Sequence, residues 1–227
     1  MKINFKSLFF IIIILFMQIT LFAQKDVTQF LGIPVDGYKS EMIQKLKEKG
    51  FTSATDGTDL LVGEFNGKDV YLSIVTNNNK IWRIGVAYKY PVNETDIRIE
   101  FNNLIRQFQN NKKYIALSNS NISELSIPED EDLSYEMSIH NKRYQAVFYQ
   151  KTADYDSLNR VKDLIMAKES LNEEDKKQLI IILAQIQEEL NNCFKKNVWF
   201  TISENSGKYV IMILYDNEYN KDDGENL

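Results

Sequence analysis

Asn66-Gly67 lies between two runs in which apolar and polar residues alternate, Leu60 to Phe65 and Lys68 to Val75. Both central residues of a two-residue hairpin turn need positive φ, which Asn and Gly accept at least cost, so the dipeptide demands an antiparallel strand pair. A further run, Lys80 to Lys89, follows Thr76-Asn77-Asn78-Asn79 and makes the segment a meander. Two more hairpins are expected. One joins Leu133–His140 to Arg143–Gln150 about Asn141-Lys142, with Tyr135, Met137 and Ile139 on its buried side; the other joins Val198–Ser203 to Lys208–Tyr215 about Asn205-Ser206-Gly207. Both faces of Lys80–Tyr88 and Lys208–Tyr215 are largely apolar, which suits a sheet that is covered twice or curved.

Between these runs the apolar period changes to that of a helix. Met42, Ile43 and Leu46 mark a helix over Lys39–Lys49, with Ser40 as its cap and Gly50-Phe51 as its close. Asn93 with Asp96 opens a second helix, whose stripe Ile97, Phe101, Leu104, Ile105 and Phe108 faces a core. Asn110 to Pro128 is polar, carries a short strand at Tyr114–Leu117, and connects the halves. Helices over Asp156–Lys168 and Glu173–Phe194 follow, the second with a buried stripe of Leu179, Ile180, Leu183, Ile186 and Leu190. Hairpins predominate and no strand–helix–strand unit opens on a Gly-rich loop. The fold class is therefore α+β, an antiparallel sheet built from a meander and hairpins with helices packed on one face.

The N-terminus carries a separate message. Lys2 and Lys6 precede Leu8–Met17, in which every residue is apolar, and no acidic residue occurs before Asp26. That is the pattern of a secretory signal peptide over residues 1–23, cut between Ala23 and Gln24. The apolar stretch, about 16 residues, falls short of the ~20 that span a bilayer, although retention as an anchor is the alternative. The only cysteine is Cys193, so no lipoprotein cysteine stands at the cut. The expected location is periplasmic or secreted, with no membrane span after signal removal. Residues 24–227 then form one α+β domain, with a subdivision point near 110–130.

Composition narrows the chemistry. With 44% hydrophobic residues and a net charge of −5 the chain is not of the disordered class. Loss of residues 1–23 removes two lysines and leaves 25 basic against 32 acidic side chains, a net of −7. An acidic chain lacks the cationic excess that neutralises phosphates, which argues against nucleic acid. His140 is the sole histidine and falls at a turn, and a lone cysteine in a helical stretch reads as a buried, inert thiol. Neither Glu129-Asp130-Glu131-Asp132 nor the acidic tail from Asp216 has calcium-loop spacing, and both read as solvated. No cofactor, metal or catalytic residue is expected. Exposed members of the strand aromatics Trp82, Tyr88, Trp199, Tyr209 and Tyr215 would form a contact surface.

Phe30-Leu31-Gly32-Ile33-Pro34-Val35-Asp36-Gly37, the helix end Lys49-Gly50-Phe51, Ile81-Trp82-Arg83-Ile84, and the closing Tyr215-Asp216-Asn217 and Gly224-Glu225-Asn226-Leu227 together resemble an uncharacterised family of small exported proteins from Gram-negative anaerobes. The resemblance implies export and this fold, and it carries no functional residues. A helix followed by a meander is also similar in topology to β-lactamase-inhibitor-like modules and small outer-membrane-assembly lipoproteins, a likeness that assigns no function. The expected function is an exported, non-enzymatic binding module for an unknown protein or envelope component. A carboxylate-based glycan hydrolase and an inhibitor of a secreted enzyme are the alternatives.

Overall fold

The computed structural model describes residues 26–116 and 125–221. The signal-peptide reading, the cut at Ala23-Gln24 and the closing Gly224–Leu227 motif lie outside these residues. A small hairpin, β1 (Gln29–Phe30) and β2 (Ile33–Pro34), leads into α1 (Lys39–Glu48), then β3 (Thr52–Ser53), β4 (Leu61–Phe65), β5 (Lys68–Asn77) and β6 (Lys80–Tyr88). After α2 (Glu94–Asn110) come β7 (Tyr114–Ala116), α3 (Leu133–Ser138), β8 (Gln145–Gln150), the helices α4 (Tyr155–Met166) and α5 (Glu173–Cys193), and finally β9 (Lys196–Asn205) and β10 (Lys208–Asn217). Eight of the strands form one antiparallel sheet in the order β3-β4-β5-β6-β10-β9-β8-β7. Each half of that sheet is a helix followed by four meandering strands. The two halves meet where β6 pairs with β10, Ile84 opposite Tyr215 and Val86 opposite Ile213.

Turn chemistry produces this order. Asn66-Gly67, Asn78-Asn79 and Ser206-Gly207 all have positive φ at both residues, the geometry whose twist matches that of paired strands. α1 closes as its sequence demands: Gly50 takes φ +98°, its N–H donates to the Lys47 carbonyl and that of Phe51 to Leu46. The cap differs from expectation. Tyr38, not Ser40, is the N-cap of α1, and it makes no side-chain cap bond. At α2 the Asn93 side chain accepts from the Asp96 N–H at 2.9 Å, as its sequence requires.

All five stripe residues of α2 are buried, and with Met42 and Leu46 of α1 they join the inward-pointing residues of β4–β6 and β8–β10 in a single core. In the second half that core is aromatic: Phe200 meets Phe101 at 5.1 Å between ring centres and stacks on Phe108 at 5.4 Å, and Phe108 stacks on Phe148 at 5.0 Å. Burying each such ring contributes about 1.5–3 kcal/mol. Phe30 of the N-terminal hairpin packs on Tyr215 at 5.0 Å and on Phe65 at 5.3 Å.

Two expectations are corrected. Leu133–Ser138 is helix rather than a strand, and β8 pairs with β9 and β7 instead of folding back on it. Asp132 accepts from the Tyr135 N–H at 2.8 Å and caps the turn, while Leu133 and Met137, four residues apart, point to the core. The apparent alternation fails because Tyr135 and Ile139 are exposed. α5 is also rotated relative to its expected stripe. Asp175, Ile182 and Cys193 are buried, whereas Ile180 and Leu183 face outward.

Candidate functional site

Strand side chains alternate between faces, so the register assigns each one a side. Val198, Phe200 and Ile202 of β9 and Tyr209, Ile211, Ile213 and Tyr215 of β10 point into the core. Trp199, Leu214 and Asp216 therefore lie on the face that α1 and α2 leave uncovered. Leu214 is only 7% exposed yet stands outside the core cluster. It pairs with Gly85 on one side and with Trp199 on the other, and Trp199 in turn pairs with Val147. The neighbouring row runs Val75, Arg83, Asp216, Asn197 and Tyr149.

Arg83 and Asp216 are the chemical centre of this face. Arg83 Nε and Nη2 donate to the two carboxylate oxygens of Asp216 at 2.6 and 2.7 Å, and Trp199 Nε1 donates to Asp216 Oδ2 at 3.0 Å. The Asp216 side chain is 1% exposed and that of Arg83 is 22% exposed. Such a fork-on-fork pair fixes the plane of the guanidinium. The Arg83 guanidinium carbon lies 4.2 Å from the centre of the Trp82 ring and 5.4 Å from that of Trp199, so the cation bridges two indoles. Trp82 reaches this position through a bulge: Val75 pairs with Arg83 while the next residue, Thr76, pairs with Ile81, leaving Trp82 as the extra residue. Thr28 Oγ1 donates to the Asp216 carbonyl and Asn217 Nδ2 to that of Val35 at 2.8 Å, so the N-terminal hairpin clamps the end of β10.

The five strand aromatics are thus divided. Trp82 and Trp199 are half-buried on the uncovered face, while Tyr88, Tyr209 and Tyr215 are buried in the core and offer no contact surface. Burial pushes the Tyr88 hydroxyl up to about 12, with the Glu100 carboxylate adding to the effect, and it raises Tyr215 well above the ordinary phenol value. Asp216 does not open a solvated tail. It is buried near the end of β10, and Arg83, absent from the sequence-derived set, is its partner. The available signal was an acidic residue closing the apolar run Val210–Tyr215 and a cation inside Ile81–Ile84.

Glu131, His140 and Cys193 each have a local explanation. Burial works to raise Glu131, but hydrogen bonds from Lys142 and Tyr144 and the charges of Lys142 and Arg98 outweigh it and hold the carboxyl below its usual range. His140 is exposed and sits 3.0 Å from Glu136 through Nδ1. Cys193 is buried, and that burial raises its thiol. A cleft of about 1240 Å³ opens between the C-terminal end of α2, the N-terminal hairpin and the ends of β7 and β8. Two of its carboxylates are already paired, Asp26 with Lys196 at 2.7 Å and Asp156 with Lys151 at 2.8 Å. Among the described residues no cluster of His, Cys, Asp and Glu could hold a metal ion, and no helix is long and apolar enough to cross a membrane.

Comparison of the chain with protein families, with curated proteins and with solved structures returns no match.

Proposed function

We propose that this chain is an exported, non-enzymatic binding module that holds a protein partner or envelope component on the sheet face uncovered by α1 and α2. One observation carries the reading: Trp82, Arg83 and Trp199 form a stack pinned by the buried Asp216 carboxylate. Trp and Arg dominate binding hot spots because they bring large contact area and several donors with little conformational freedom to lose. Here that freedom is already spent within the folded chain. Arg83 is neutralised by Asp216, so the stack is a planar, weakly hydrated platform rather than an anion site. Export rests on the basic and apolar pattern of residues 2–17.

A photo-crosslinking side chain at Met212, on this face, tests the reading against one at Lys45 on α1, with envelope extract of the source cell as the sample. A discrete adduct is expected from Met212 alone. Trp82→Ala, which leaves the Arg83–Asp216 pair intact, should weaken capture about thirtyfold, the hot-spot scale of about 2 kcal/mol. Equal adducts from both positions, or capture indifferent to Trp82→Ala, would overturn it. A captured enzyme that loses activity on binding would specify the module as an inhibitor.

A further inference from the structure

α5 is apolar all round in its middle. Ile182 is buried in the helix pair that α5 forms with α4, and Ile180, Ile181 and Leu183 are 68%, 58% and 47% exposed. A helix apolar on every side belongs inside something. Among the described residues the α4–α5 pair packs chiefly on itself, and these three side chains stay exposed.

Charges flank Ile181 along one side of the helix, and they say what covers that side. Lys177, Ile181, Ala184 and Glu188 follow i, i+4, i+7 and i+11 and so share one stripe. Lys177 and Glu188 are separated by about 16 Å of helix, too far to pair with each other, and among the described residues neither has an ion-pair partner, whereas Lys176 pairs with Glu173 at 2.7 Å. The two charges stand at equal distances from the Ile182–Leu183 peptide bond. A second α5 laid antiparallel across that point places Lys177 opposite Glu188 of the second copy, and Glu188 opposite its Lys177. Ile181 then faces the small Ala184 of the second copy, twice. This self-complementarity is what a two-fold interface requires, since contact i-to-j must recur as j-to-i.

We infer that the outward stripe of α5 is a homodimer interface in which two chains pair their α5 helices antiparallel. The inference does not depend on the sheet-face reading. Sedimentation equilibrium of the chain from Gln24 to Leu227, which holds the whole described fold, should give a concentration-dependent dimer. Ile181→Asp should yield monomer with an unchanged circular dichroism spectrum. Lys177→Glu and Glu188→Lys, each placing like charges opposite one another at both ends, should weaken the dimer about tenfold, and the double reversal Lys177→Glu/Glu188→Lys should restore it. Trp82→Ala should leave the dimer untouched, which separates this interface from the sheet face. Monomer mass at every concentration, or a double reversal no better than the single ones, would overturn the inference.

Discussion

The two halves of the sheet have the same plan and very different connections. From β4 to β6 the strands are joined by Asn66-Gly67 and Asn78-Asn79 alone. From β7 to β9 the joins carry α3 and then the α4–α5 pair. The difference teaches that a repeat survives insertion wherever the strand ends stay adjacent: Tyr149 still pairs with Asn197, so the long excursion between them costs mainly loop-closure entropy, which rises slowly with length.

The largest expected effect sits where the halves meet. Arg83→Ala leaves the buried Asp216 carboxylate without its cation and should lower stability by about 3–5 kcal/mol in denaturant unfolding. Next, Phe200→Ala in the second half and Leu72→Ala in the first should each cost about 2–5 kcal/mol. Both variants should keep a single unfolding transition, because both residues belong to one core; separate transitions for the two halves would show that they unfold independently.

Glycines on the two faces of the first half give a smaller contrast. A Cβ at Gly63 would lie 2.5 Å from the Phe51 ring, so Gly63→Ala should cost about 1–3 kcal/mol by overpacking. One at Gly85 would lie 2.5 Å from the Ser73 hydroxyl, which can rotate away, and at ordinary contact distance from Leu214, so Gly85→Ala should cost clearly less. At the inserted pair, Asn172 and Asp175 cap α5 reciprocally, Asn172 Oδ1 accepting from the Asp175 N–H at 2.8 Å. Asn172→Ala should cost about 1 kcal/mol, read as faster amide exchange confined to the first turn of α5.

The least effect is the pH dependence of the α2–β8 connection. Because the Glu131 carboxyl is held below its usual value of 4.5 in the folded chain, its ionisation stabilises the fold above that pH, and the contribution is lost as pH falls through the lowered value. Unfolding measured at successive pH values below about 4.5 should therefore flatten in Glu131→Gln relative to the parent.

Much of the fold is legible in the sequence. Positive-φ turn residues and period-two runs locate β4, β5, β6, β9 and β10, and the i, i+4, i+7 stripe of α2 identifies its buried side. These signals are local, since they arise within a few residues of backbone sterics. Segment 133–138 misled because six residues with apolar groups at both spacings fit either period, and the Asp132 cap decided between them. The inward side of α5 misled for a related reason: five apolar residues in succession, Leu179–Leu183, define no stripe, so packing against α4 chose Ile182.

The site was the least legible part. Trp82 and Trp199 could be singled out as strand aromatics, but nothing local distinguished them from Tyr88, Tyr209 and Tyr215. Sequence alone determined an antiparallel α+β chain with a basic, apolar N-terminus, because turn conformation, side-chain periodicity and composition are properties of neighbouring residues. Tertiary structure decided which face each aromatic occupies, that Arg83 and Asp216 meet across 133 residues of chain, and that α5 buries Ile182 while turning Ile180 and Ile181 outward. Those outcomes depend on strand register and on which surfaces meet, and register is set by the whole sheet at once.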